Sequence, residues 1–237
     1  MKKNAIAIIL LLAVAGLLLA APQNPNTLTP KEKADGWRLL FDGTTFNGWR
    51  GYLEKGVPAA GWKIEDNVIK TVPKVKGGNL ITVDKFNDFE FSWEWNIGAG
   101  ANNGIKYFVT EARPSAPGHE YQMIDDATNA ENKNGPTHAT GAFYDVLPAV
   151  DDKPLKPAGQ WNQSRVVVRG IRVEHWLNGK KILEYDLGSE AVKAGLAKSK
   201  FSKLPDFGTK LQGHIMLTYH NDECSFRNLK VRELSAR

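Results

Sequence analysis

A single cysteine, Cys224, serves the whole 237-residue chain, so no disulfide can form within it and stability must come from a packed core. It sits in the strand-like run Glu223–Phe226 and reads as a small buried core residue rather than a reactive thiol. One cysteine and five histidines argue against a structural zinc site. Standard catalytic signatures are missing as well. There is no Gly-x-Ser-x-Gly elbow, phosphate loop, dinucleotide fingerprint or His-Glu-x-x-His helix. Charge of one sign is scarce: the formal excess of +5 includes Lys2 and Lys3, and the remaining basic residues are dispersed. Nucleic acid is therefore not an expected partner.

The long hydrophobic run is confined to the beginning. Lys2-Lys3 precede an apolar stretch from Ala5 to Ala20, followed by Pro22 and a polar segment. This layout predicts a secretory signal peptide over residues 1–21, cut after Ala20 or Ala21. A retained anchor is the rival reading, but a 16-residue helix reaches roughly 24 Å, short of the ~30 Å hydrocarbon layer. The expectation is export to the periplasm or the exterior, with membrane contact only through the transient signal segment. A short lead over residues 22–35 then opens one domain over residues 36–237.

The rest alternates. Phe89, Phe91, Trp93 and Trp95 share one face of a strand, and Glu90, Ser92, Glu94 and Asn96 share the other, a polar face suited to a sugar groove. Further strands are predicted at 104–110, 120–124, 142–146, 165–169, 172–177, 181–185, 214–219 and 224–233. Asn178-Gly179 marks a hairpin. Only residues 189–199 read as a helix, with Ser189 as its N-cap. Many short strands and no long alternating helices predict an all-β, two-sheet antiparallel sandwich with one short helix. The irregular segments 113–119 and 126–140 are expected to border a binding site.

Within 118–126, alternation places Glu120, Gln122 and Ile124 on one face. A Glu beside a Gln can bind sugar hydroxyls, and the Glu can move a proton; a wet edge strand would look the same. His220 closes an apolar run before Asn221-Asp222, where a histidine can act as a base or simply cap a turn.

Several landmarks occur in order: Gly36–Thr44 with Gly48-Trp49, Asn102-Asn-Gly-Ile-Lys-Tyr-Phe-Val109, Glu120-Tyr-Gln-Met-Ile-Asp-Asp126, Pro157–Asn162, Glu174–Gly179 and Phe226–Leu234. Together, over Gly36 to Leu234, the chain resembles the 3-keto-disaccharide hydrolase domain family. The resemblance implies a concanavalin-like jelly roll, with one of its two sheets holding a carbohydrate. It also implies cleavage of 3-keto-glycosides or 3-keto-disaccharides, made by a sugar 3-oxidoreductase acting upstream. One departure is visible. Where the family carries Gln-Asp-His-Gly, this chain has Thr218-Tyr219-His220-Asn221, so a partner orienting the histidine falls to Asp222 or Tyr219.

A C3 ketone acidifies the C2 hydrogen and places the glycosidic oxygen β to the carbonyl. Elimination followed by hydration then gives net hydrolysis, which requires a base, an acid and enolate stabilisation. His220 is the expected base and Glu120 its partner or the acid. Lys106 is the candidate for enolate charge, and Gln122, Asn102, Glu94 and Tyr219 are candidates for holding substrate. No cofactor is predicted; a divalent cation ligated by carboxylates such as Glu120 could take the place of Lys106. The alternatives are a conventional glycoside hydrolase, or a non-catalytic carbohydrate-binding module using Trp49 or Trp62 as stacking platforms.

Overall fold

The alternating run of aromatic and polar residues becomes the strand on which the larger sheet is organised. The computed structural model describes residues 24–112, 115 and 117–235, so the expected signal peptide lies outside the described residues. The elements are α1 (Pro30–Ala34), β1 (Arg38–Leu39), β2 (Trp49–Gly51), β3 (Trp62–Glu65), β4 (Val68–Thr71) and β5 (Leu80–Thr82). They continue with β6 (Phe89–Ile97), β7 (Asn102–Val109), β8 (His119–Ile124), β9 (Asn162–Arg169), β10 (Arg172–Leu177) and β11 (Lys180–Asp186). The chain closes with α2 (Glu190–Lys198), β12 (His214–Leu217) and β13 (Cys224–Glu233). Eight strands form one sheet in the order β11-β10-β9-β6-β13-β4-β3, with β1 also on β13; five form the other, β2-β5-β12-β7-β8. All the pairings are antiparallel, giving the expected two-sheet sandwich.

The core lies between the sheets. Phe89, Phe91, Trp93 and Trp95 of β6 are at most 1 % exposed and meet Ile105, Tyr107, Tyr121, Met123 and Leu217 of the smaller sheet. Each such large side chain contributes roughly 1.5–3 kcal/mol by leaving water. Cys224 is buried here, as expected, and burial pushes its thiol pKa up.

A chain of oriented hydrogen bonds crosses this apolar layer. His175 Nδ1–H donates to the Gly141 carbonyl at 2.9 Å, which leaves Nε2 to accept from the Tyr107 hydroxyl, also at 2.9 Å. With its proton so committed, the Tyr107 oxygen accepts from Tyr185 at 2.6 Å. Strand β7 of one sheet is thereby joined to β10 and β11 of the other.

Local details follow the turn chemistry. Asn178 and Gly179 take positive φ of 45° and 85°, the hairpin geometry their sequence predicts. Ser189 caps α2, accepting from the Val192 N–H at 3.4 Å. Two expectations need correction. Residues 142–146 do not form a strand, because Phe143 makes only isolated bridges to Tyr121 and Leu147. Helix α1 was not expected, since five residues are too few to show a period; a Thr29–Glu32 capping box and Pro30 at its start hold it. Short 3-10 turns at Ala130–Asn134 and Pro136–His138 lie within the segment read as irregular.

The buried histidines make stability sensitive to mild acid. Burial pushes His175 down to about 4 and His119 to about 3, against 6.5 for a solvated imidazole. The unfolded chain therefore takes up these protons first, and stability is lost as the pH falls through 6.5 toward 4. Each histidine should remove about 1.4 kcal/mol per pH unit in that window. Denaturant unfolding between pH 7 and 5 checks this, with a shallower slope expected for His175→Gln and an equal slope counting against it.

Candidate functional site

The β7–β8 ladder sets Lys106 opposite Glu120, Gly104 opposite Gln122 and Asn102 opposite Ile124. Because alternate residues share a face, Asn102, Lys106, Glu120 and Gln122 all point outward from the smaller sheet, away from the core. They line a cleft of about 280 Å³ with His220, Asn79, Tyr144 and Lys200. Five of the seven residues singled out from the sequence thus converge in one place.

Gly104 decides how Glu120 lies. A methyl group at this position would overlap the Glu120 carboxyl oxygen and stand 2.9 Å from its Cδ and Cγ. The glutamate therefore lies flat across a bare patch of sheet. Its Oε2 is 3.6 Å from Lys106 Nζ, and its side chain is only 6 % exposed. Asn102 anchors the far end: its N–H donates to Asp222 at 2.9 Å, while its side-chain oxygen is buried without a hydrogen-bond partner among the described residues.

His220 stands at the cleft mouth, on the turn after β12, reachable by solvent yet hemmed in by the cleft walls. Its pKa is lowered, chiefly because the surrounding walls strip water from the charged form. Glu120 pulls it upward, and the Lys106 and Lys200 charges push it down. The imidazole is therefore neutral at pH 7, free to accept a proton, with a carboxylate near enough to favour the resulting cation. Asp222 is engaged by the Asn102 backbone, and no hydrogen bond fixes the His220 ring among the described residues.

The segment after β8 builds the opposite wall. Gly141 N–H donates to the Gln122 carbonyl at 2.8 Å, and Tyr144 N–H to the Glu120 carbonyl at 3.0 Å, so residues 141–144 run along the β8 edge. The Tyr144 hydroxyl donates to Glu131 at 2.7 Å and accepts from Lys200 Nζ at 3.0 Å. Behind it, His138 bridges Glu131 and Asp145 at 2.9 and 3.1 Å. Burial, followed by the Glu131 carboxylate, raises the Tyr144 pKa, keeping the phenol protonated. Sequence reasoning flagged residues 126–140 but missed Tyr144 and Lys200. Neither falls on a strand whose alternation would reveal its direction.

Glu94 and Tyr219 are not in the cleft. Glu94 belongs to the larger sheet, where it binds Arg227 at 2.7 Å and Asn228 at 2.8 Å. Tyr219 turns the other way from His220; its hydroxyl reaches the Val72 and Val75 carbonyls at 2.8 and 2.9 Å, and its ring packs over Gly61 and Gly77. Trp49 and Trp62 are buried, with their indole N–H groups donating to the Leu40 and Gly78 carbonyls, so neither is a stacking platform. Among the described residues, no cluster of three or more His, Cys, Asp or Glu side chains is arranged to hold a metal ion.

Comparison with known proteins finds relatives over most of the chain. Residues 36–232 match the family model described as a 3-keto-alpha-glucoside-1,2-lyase-like domain. A 3-keto-disaccharide hydrolase of Bacteroides thetaiotaomicron is 35 % identical over 234 residues, covering 85 % of this chain and 79 % of the relative. A crystal structure from Parabacteroides distasonis, provisionally named a glycosyl hydrolase, is 34 % identical with a TM-score of 0.80, spanning 90 % of this chain and all of that one. A second structure from that organism, named in the same way, is 26 % identical with a TM-score of 0.66 and covers 84 % and 99 % of the two chains.

Tyr219→Phe separates structure from chemistry. Its hydroxyl ties the turn before Asn221 to the loop after β4, so its loss should cost about 1 kcal/mol in denaturant unfolding. An unchanged midpoint would contradict that assignment.

Proposed function

The chain belongs to the 3-keto-alpha-glucoside-1,2-lyase-like family, and we propose that its cleft cleaves the glycosidic bond of a sugar already oxidised to a ketone at C3. The observation that carries this reading is the charge inventory of the cleft. Glu120 is the only carboxylate among the described residues that line it, accompanied by Lys106, Lys200 and His220. An ordinary glycosidase needs two carboxyl groups flanking the bond. Elimination from a 3-keto sugar needs one base, an electrophile for the enolate and a proton for the departing oxygen.

Neutral His220 removes the C2 proton, and the C–H electron pair moves toward the C3 carbonyl, where positive charge from Lys106 stabilises the enolate oxygen. Glu120 stabilises the imidazolium that forms. The enolate pair then re-forms toward C1 and expels the glycosidic oxygen, which takes a proton from Lys200 Nζ, the Tyr144 hydroxyl proton being held by Glu131. Water adds across the resulting enone, giving a 3-keto sugar and the free alcohol. Asn102 and Gln122 hold hydroxyls, with the unpartnered Asn102 oxygen accepting one. The substrate must come from an oxidoreductase acting on the C3 hydroxyl. The basic and apolar segment at residues 2–20 supports a location outside the cytoplasm.

Turnover of a 3-keto-glucoside should fall at least about 100-fold in both Glu120→Gln and His220→Ala. Full activity in both would remove the cleft from the reaction. Product formed in D2O should carry deuterium at C2 beyond that of an enzyme-free control, whereas direct displacement incorporates none. Since His220 acts as its neutral form and its pKa is lowered, kcat/KM should hold through neutral pH and decline only below 6.5. Gly104→Ala should keep the fold, read by circular dichroism, while displacing Glu120 and lowering kcat by about tenfold or more.

A further inference from the structure

The outer face of the larger sheet carries a groove of about 260 Å³ with no part in the cleft just described. Its walls are Trp37, from the segment after α1, and Trp176 of β10; Glu90, Gln163, Arg165 and Lys230 lie between them. Both indoles are partly exposed. Arg165 lies over the Trp176 ring at 4.2 Å, and Arg232 over Trp37 at 5.1 Å.

The construction of this groove is more elaborate than core packing demands. Helix α1 buries no residue, yet it is held by a full capping box, with Glu32 bound both to Thr29 and to Lys230. The effect is to set Trp37 over the sheet as a wall. Glu90 is 4 % exposed although it faces outward, and both its oxygens are taken, by Arg165 at 2.8 Å and by Arg232 at 2.7 Å. Planar donors and acceptors are thus fixed on the floor between two aromatic walls, while the Gln163 side chain remains exposed.

We propose that this groove is a second saccharide-binding site, selective for neutral hexopyranosyl units. Aromatic walls suit the C–H faces of a pyranose, and rigid guanidinium and carboxylate groups suit vicinal hydroxyls, which both donate and accept. An anionic ligand gains little, because Glu90 and Glu32 offset two of the three positive charges of Arg165, Arg232 and Lys230. The two sites lie on opposite outer faces of a sandwich whose sheets are roughly 10 Å apart. A unit held in the groove is therefore not the unit being cleaved. The groove holds a saccharide chain or a neighbouring sugar-rich surface, and it does not depend on the keto-sugar chemistry of the cleft.

The test is an NMR titration of the full folded protein with maltohexaose and cellohexaose, following the Trp37 and Trp176 indole N–H resonances. At least one sugar should shift both resonances at millimolar concentration, with the same shifts in Glu120→Gln. Gln163→Ala, at an exposed position, should weaken binding about threefold or more, and Trp176→Ala about tenfold. Unmoved indoles would overturn the proposal even if the cleft proves active. So would shifts that vanish in Glu120→Gln, or shifts produced by a sulfated oligosaccharide but not by the neutral ones.

Discussion

The relay from Gly141 through His175 and Tyr107 to Tyr185 is the constraint on which the rest of the molecule depends. Hydrophobic contact between two sheets is strong but tolerant of sliding, because dispersion and dehydration have no direction. Hydrogen bonds in the same layer do have direction, and an unmade one costs about 1–3 kcal/mol. Here the Gly141 carbonyl fixes the tautomer of His175, which fixes the donor role of Tyr107, which in turn fixes Tyr185. Strand β7 is thereby registered against β10 and β11. The loop that begins its return at Gly141 is also pinned to the edge of β8, bringing Tyr144 over Glu120.

From this clamp the cleft acquires two walls of different character. The sheet wall is rigid and carries Lys106, Glu120, Gln122 and Asn102 at positions set by ladder register. The loop wall carries Tyr144 and is braced by Glu131, His138 and Asp145. His220 sits between them on a turn whose geometry is fixed from both sides, by Asp222 on Asn102 and by Tyr219 on the loop after β4. The departure from the family pattern at Thr218 and Tyr219 therefore has a structural meaning. Thr218 donates to the Asn103 side chain at 3.2 Å beneath the cleft floor, and Tyr219 braces the turn. Both side chains support the turn that carries the histidine from behind, and neither lines the cleft.

Much of this was legible in the sequence because a strand has a period of two. Alternation placed Glu120 with Gln122 and gave β6 its aromatic face. Alternation cannot tell which sheet a strand joins, and Glu94 shows the consequence: a correctly read polar face on the wrong side of the sandwich. Tyr219 and His220 are neighbours on a turn, where strand parity no longer governs direction. Tyr144 owes its place to a loop folded by Asp125, Asp126 and Thr140 contacts, and Lys200 to the Asp145 carboxylate that accepts from its backbone N–H; all are long-range and invisible to a local window. The 142–146 segment had strand-like composition, but Gly141, with φ of 83°, and the following turns leave it only bridges.

Strand β13 is the last strand among the described residues, yet it pairs with β6 on one side and β4 on the other. Asn228, at its bulge, also exchanges hydrogen bonds with Asn26 of the lead. The middle of the larger sheet is therefore an empty slot until residues 224–233 are available. Every shorter nascent chain presents two unpaired inner edges, and pairing such edges with another chain is the route to aggregation. A sequence that is β-rich from its first strand thus commits its architecture only at its final one.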